Sequence, residues 1–338
     1  MTPDRLPTIS ELLRRHDLAG VPDEPFPNDG WSGATMTLLR RHDGSRFVLK
    51  RDSLDRDWIA RATADGPVLR EAWFAHDGPT LPWPVRNPAL GAGHDPQTGE
   101  SAVLMPDLTG VLFDWNAVIG HDQLEAVLRA LVALHGHGWN DELRVGTTHW
   151  APWRERLTLI CRPSLERPNA PQQAVVERLL PGWDAWDRHA TAGAKSVIAD
   201  LANEPQPLLD ALALEPSTLL HGDLKLANVG IAADGAIDIV DWQMVMVAPV
   251  AIELGWFLVS NVNALPIAPD RVLERYWALR SRDGARENDL AILVGLLLRG
   301  WRKGYDAEAG LTLASGVTAV DDLAWWCDRA VEAADRVL

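Results

Sequence analysis

The chain has 338 residues, 47% hydrophobic and 23% charged, with a formal net charge of −15; it can bury a large core, and two lobes or domains are expected. The acidic balance argues against a nucleic-acid binder, which would carry a basic stripe; it would suit a cationic substrate, although acidity that aids solubility is the commoner cause. Only two cysteines occur, Cys161 and Cys327, in no metal or redox spacing, which fits a reducing cytoplasm.

Met1 to Arg5 begin no apolar stretch, so no signal peptide is expected. Thr8 to His16 is helical in pattern, with Thr8 or Ser10 as cap. Asp29-Gly30-Trp31-Ser32-Gly33-Ala34-Thr35 lies between candidate strands and departs from G-x-G-x-x-G. Its glycines suit close approach to phosphate or a plain hairpin turn equally well. Short strands are predicted at Met36–Leu39 and Arg46–Lys50, joined around Asp43-Gly44, a strong hairpin signal. Helices follow near 55–64 and 68–76, the second bounded by Pro67 and Gly78. After the Pro-rich Leu81–Pro84, a hairpin turning at Asp95–Gly99 ends in the strand Ser101–Met105. Pro106-Asp107-Leu108-Thr109-Gly110 breaks the pattern. Beyond it the chain reads as mainly helical. Asp122–Gly136 places Leu124, Val127, Leu128, Leu131 and Leu134 on one face. Residues 140–215 form a long helical insert, and three further helices near 268–280, 287–305 and 320–337 end the chain. The longest apolar run, Leu290–Leu298, is too short to span a bilayer.

The most informative stretch precedes those last helices. His221-Gly222-Asp223-Leu224-Lys225-Leu226-Ala227-Asn228 reads H-x-D-L-K-x-x-N. Ile237-Asp238-Ile239-Val240-Asp241-Trp242 then puts a carboxylate at the end of an apolar run, eighteen residues after Asp223. A turn whose Asp and Asn satisfy backbone donors would give the first block alone. The pair of blocks matches what phosphoryl transfer needs. One Asp accepts the proton of an attacking hydroxyl, and an Asn and a second Asp hold Mg²⁺ on the phosphates.

At these residues the chain resembles the aminoglycoside phosphotransferase family, a small-molecule branch of the protein-kinase-like fold, with Trp242-Gln243 where protein kinases carry Phe-Gly. The resemblance implies an α+β, bilobal protein-kinase-like fold. Residues 1–105 would be a small antiparallel-sheet lobe, 106–110 a hinge, and 111–338 a larger, mainly helical lobe. It implies Asp223 as the catalytic base and Lys225 as a partner of the γ-phosphate, with Asn228 and Asp241 as metal ligands. Phe47-Val48-Leu49-Lys50 echoes V-A-I-K, so Lys50 would grip the nucleotide phosphates. Glu71, the first Glu after Lys50, would be its ion-pair partner. Gly30, Ser32 and Gly33 would lie against the phosphates. Met105 would gate the nucleotide pocket, with Pro106 C=O and Leu108 N–H at the adenine. His221 would support the loop by hydrogen bonds. Glu253 would brace it, where the family usually has Asp. His135 reads as a buried, hydrogen-bonded residue.

The expected activity is transfer of a γ-phosphate from ATP, with GTP possible, to a hydroxyl of an antibiotic, amino sugar, sugar or similar metabolite. The acceptor would be small and possibly cationic, with no nucleic-acid or membrane partner, and the oligomeric state stays open. Acids and tryptophans at Trp183–Asp187 and Asp321–Trp326 would line its pocket, or would be solvated faces over a tryptophan core. Two other readings are a nucleotide-binding pseudokinase scaffold and a kinase acting on protein. Intact Asp223, Asn228 and Asp241 argue against the first. The lack of a long segment ending in A-P-E after Asp241 argues against the second.

Overall fold

A computed structural model describes residues 6–27, 30–115, 117–139, 142–144, 148–167 and 173–338. Met1 to Arg5, Asp29 and Asn140, named above, lie outside the described residues. The chain divides into two compact units, each assembled from separated segments.

The first unit comprises Met1–Leu112, Trp139–Pro152 and Asn228–Val245. Its five-stranded antiparallel sheet runs, in spatial order, Glu24–Pro25, Thr35–Arg40, Arg46–Ser53, Glu100–Pro106 and Gly91–Asp95. Side chains alternate between the faces of a strand. Leu39, Leu49, Ala102 and Leu104 therefore share one face, where they pack with Ile9, Leu12 and Leu18. Thr8 caps the Ile9–Arg15 helix over this face through a capping box with Glu11, two donors satisfied reciprocally. In the central pairing, Val48 faces Met105, Lys50 faces Val103 and Asp52 faces Ser101, so Lys50 projects from the face opposite Leu49. Two segments distant in sequence complete the unit. Val85–Arg86 pairs parallel with Ile237–Ile239, which pairs antiparallel with Val229–Ile231. Arg70, fully buried, donates to the carbonyls of His149, Thr63 and Gln243.

The second unit comprises Phe113–Gly138, Trp153–Ala227 and Met246–Leu338. It is mainly helical, with one two-stranded antiparallel pairing of Ser217–Leu220 and Met246–Pro249. The helix Ala285–Glu308 is its core: every residue from Asp289 to Trp301 is buried. Trp183, Trp186 and Trp326 are likewise buried. The helix Val250–Asn261 is apolar nearly all round, with eleven of its twelve residues buried, as expected for an interior helix. No helix among the described residues is long and apolar enough to cross a membrane.

Candidate active site

In the first unit Lys50 is the centre of a partly buried charge cluster. Its Nζ lies 2.7 Å from Glu71 Oε2 and donates at 2.5 Å to Asp241 Oδ1. Glu71 stands in the first turn of the Arg70–Asp77 helix. Burial works against the Lys50 charge, but Asp241 and Glu71 outweigh it and hold the ammonium well above its ordinary range. Burial pushes the Glu71 carboxyl up, against the pull of Lys50. Asp241 adopts φ 67° and ψ 53°, a left-handed conformation uncommon for any residue but glycine. Such outliers concentrate where function over-determines the backbone. Asn228 comes to the same place through strand register: Val229 pairs with Ile239, and Val240 N–H donates to Asn228 C=O at 3.0 Å.

A small cleft in this unit is lined by Glu71, Val103, Met105, Val240, Asp241 and Trp242 among others. Met105 thus reaches the same space as Asp241. Pro106 ends its strand, and Asp107 N–H donates to Arg46 C=O. Leu108 C=O accepts from Val111 and Leu112 in the turn that follows. Beyond Lys50, on the same sheet face, Asp52 and Asp57 line a second cavity with Glu71 and Gln243. Asp57 caps the Trp58–Ala62 helix and accepts from the Gln243 side chain. Burial pushes its carboxyl up to about 7.

The glycine-bearing loop is anchored to that same helix. Trp58 indole N–H donates to Trp31 C=O at 2.8 Å and Ser32 C=O accepts from Trp58 N–H. Ser32 is buried, and its hydroxyl accepts from Ala34 N–H. Gly33 has φ +112°, and a Cβ there would stand 2.6 Å from Arg56 O. A side chain at Gly33 is therefore excluded by the chain's own backbone. Gly30 opens the described part of the loop.

In the second unit the loop holding Asp223 is suspended from one helix. Glu253, fully buried, accepts from His221 N–H and Gly222 N–H and meets His135 Nε2 at 3.0 Å. Burial would raise its carboxyl, but the bond from His135 and the charge and backbone donors around it hold it below the usual range. Two turns on, Asn261 accepts from Leu226 N–H and donates to Leu224 C=O. His135 Nδ1 meets Tyr276 Oη at 2.9 Å, as a buried structural histidine does. Gly222, at φ +81°, lets the chain turn immediately before Asp223. Lys225 Nζ lies 2.8 Å from Asp223 Oδ2. Arg156 donates to Gly222 C=O from behind the loop.

Lys50, Glu71, Asn228 and Asp241 are therefore gathered in one unit, and Asp223 with Lys225 in the other. Arg156, Trp256, Asn261 and Arg299 belong to the second neighbourhood, yet no sequence signal singled them out. The acids expected at the acceptor pocket have partners of their own. Asp184 and Asp187 both bind Arg162, Asp321 binds its cap Thr318, and Asp322 is buried against Lys303. Among the described residues no group of three or more His, Cys, Asp or Glu side chains could hold a metal ion.

An antiparallel sheet with a lysine ion-paired to a following helix, a mainly helical second unit and a braced H-x-D loop define a kinase-like phosphotransferase fold of the α+β class. The sequence model of the phosphotransferase enzyme family (APH) matches residues 25–290, and the chain belongs to that family. Its fold is similar to that of the choline kinase LicA from Streptococcus pneumoniae. That likeness has a TM-score of 0.50 at 12% identity and covers 96% of each chain. A thermostable mutant of aminoglycoside phosphotransferase APH(4)-Ia, in ternary complex with AMP-PNP and hygromycin B, matches with TM-score 0.47, 16% identity and 97% and 99% coverage of this chain and that one. A choline/ethanolamine kinase family protein from Mesorhizobium loti matches with TM-score 0.46, 17% identity and 97% and 94% coverage. Comparison with curated proteins finds no significant match.

Proposed function

We propose that the protein is an O-phosphotransferase that moves the γ-phosphate of ATP to a hydroxyl of a small molecule, with GTP as a possible alternative donor. The observation that carries this reading is Lys50, buried between Glu71 and Asp241 in a chain of the phosphotransferase family. A lysine so held is a fixed, desolvated cation suited to nucleotide phosphates. Asp223 accepts the proton of the acceptor hydroxyl and orients the oxygen for in-line attack. Glu253 and Asn261 hold the loop that presents it, and Lys225, beside Asp223, meets the transferred phosphoryl group. Met105, Pro106 and Leu108 form the adenine side of the nucleotide site, and the loop of Gly30, Ser32 and Gly33 covers the phosphates. Residues 1–105, 106–110 and 111–338 act as nucleotide lobe, hinge and catalytic and acceptor-binding lobe, with Asn228–Val245 of the last belonging to the compact unit of Lys50.

Asn228 and Asp241 fit a Mg²⁺ ion. They would offer an amide and a carboxylate oxygen from neighbouring backbone positions, and a hard cation completes its shell with phosphates and water, so one or two protein ligands suffice. When bound, the ion neutralises charge on the nucleotide phosphates.

The two cysteines are free and buried, which suits a reducing cytoplasm. The test is a phosphorylation screen over hydroxylated metabolites and antibiotics with ATP and with GTP, using Asp223→Asn as the control. Phosphorylated acceptor with wild type alone is the expected result. Phosphate release at equal rates from both proteins removes Asp223 from the chemistry. Phosphorylation of protein but of no small molecule would favour a protein kinase.

A further inference from the structure

Behind the Asp223 loop lies a cationic cluster that nothing in the family match assigns. Arg156 and Arg299 are 4% and 8% exposed. Their guanidinium carbons stack on the Trp256 ring at 4.4 and 4.9 Å from its centroid. Lys225 Nζ lies 6.0 Å from that centroid while pairing with Asp223. Arg299 sits where the Ala285–Glu308 helix departs from helical geometry, at φ −140° and ψ 22°, and its Nη1 donates to Ser260 Oγ at 3.0 Å.

What these groups lack is an acceptor. Arg156 Nε and Nη1, Arg299 Nε and Trp256 Nε1 are buried with no hydrogen-bond partner among the described residues. All four are donors. A buried guanidinium left unmatched is costly, and arginine's planar fork matches carboxylate and phosphate. Of the acids nearby, Asp223 supports both arginines by charge but is bonded to Lys225 through Oδ2. Glu253 serves His135 and the loop's amides, and Asp306 takes Arg302 with both oxygens. Three cations, Arg156, Arg299 and Lys225, surround two carboxylates, Asp223 and Glu253, leaving a positive surplus in a chain whose total charge is −15. Burial lowers both arginines to about 10, so both remain charged at neutral pH.

We infer that Arg156 and Arg299, stacked on Trp256, bind an anionic group, a carboxylate or a phosphate, of the molecule whose hydroxyl Asp223 activates. This rests on the phosphotransfer reading above. It replaces the amine-bearing acceptor expected from net charge with a hydroxylated acid or a phosphorylated polyol. An ammonium group brings only donors to a place already filled with donors, and like charge besides. A second source of the same chemistry is the γ-phosphate of the nucleotide, and the test separates the two.

The intact protein is assayed with ATP against matched acceptors that differ in charge: glycerol, glycerate and glycerol phosphate; glucose, glucosamine, gluconate and glucose phosphate. An anionic member is expected to exceed its neutral and cationic counterparts by about 10- to 100-fold in kcat/KM, the worth of one hydrogen bond to a charged group. Arg299→Gln should raise its KM by a similar factor with nucleotide KM unchanged, and Arg299→Lys should restore part of the loss. Calorimetry without nucleotide gives a reading free of turnover: gluconate, glycerate or a sugar phosphate should bind wild type and not Arg299→Gln. Preference for glucosamine, or no anionic probe bound by wild type, overturns the inference. So does a rise confined to nucleotide KM, which would assign the arginines to the γ-phosphate. Anion binding without any phosphoryl transfer would instead sink the phosphotransfer reading and leave the anion site standing.

Discussion

Lys50 is largely buried and Arg156 more fully so, but their surroundings differ in kind. Lys50 sits between two carboxylates, Glu71 and Asp241, each within ion-pair distance. Arg156 gives one bond to a backbone carbonyl and keeps two buried nitrogens unmatched. The first cluster satisfies its lysine within the protein, one cation against two carboxylates, so on the proposed function a nucleotide would compete with carboxylates for the lysine and a metal would share Asp241. The second leaves donors over, so an anion gains more than it displaces. A charge cluster closed on itself sets geometry, whereas an open one specifies what should arrive.

The sharpest way to break this contrast is at the Asp223 loop. Asp223→Asn keeps the shape of the side chain and removes the proton acceptor. We expect kcat to fall by about 10²- to 10⁴-fold with nucleotide affinity kept. Turnover within a few-fold of wild type would remove Asp223 from the mechanism.

The closed cluster is tested at Asp241. Asp241→Ala should weaken Mg²⁺-nucleotide binding by about 10- to 100-fold or more, since second-shell changes alone reach that range. Calorimetric titrations with Mg²⁺ and with chelator read it directly. Equal binding by both proteins in both conditions would remove Asp241 from the nucleotide site.

Glu253 supports the open cluster from beneath. Glu253→Ala leaves His221 N–H, Gly222 N–H and His135 without their acceptor in a buried place, which should cost about 3–5 kcal/mol of stability. Urea unfolding measures it. A loss below 1 kcal/mol would mean that the loop is held by Asn261 and Arg156 instead.

The smallest effect concerns Asp57, at the back of the closed cluster. Its folded carboxyl titrates at about 7, against about 3.9 in an unfolded chain. The folded state therefore binds the extra proton between those values, and stability falls as pH rises from about 4 to 7. Asp57→Asn should flatten that part of the profile while keeping the helix cap. Thermal melts across pH 5 to 8 decide; an unchanged slope would exclude Asp57 as its source.

Much of the fold was legible because its signals are local. The Thr8 cap, the Asp43-Gly44 hairpin and the register-forming strands around Lys50 follow from turn chemistry and period-two alternation. The Arg70–Asp77 helix bounded by Pro67 and Gly78 made Glu71 the partner for Lys50, and the ion pair is there. The Val250–Asn261 helix was harder to see, because a segment buried on all sides has no polar face to mark its period. At the site, Asp223, Lys225, Asn228 and Asp241 stood out because their spacing is a motif in one stretch of chain. Arg156, Trp256 and Arg299 did not, because 143 residues of sequence separate the two arginines.

By itself, then, the sequence determined the family, the order of the elements and the identity of the charged groups that motif spacing joins. Only tertiary structure decided which charges are already spent. By sequence Asp184, Asp187 and Asp322 either line an acceptor pocket or face solvent, whereas Arg162 and Lys303 occupy them. No sequence signal marks Arg156 and Arg299, yet burial on one indole leaves some of their donors unmatched among the described residues. The reason is physical: composition counts charges, but burial and partners, which chain folding alone brings together, set what each charge can still bind.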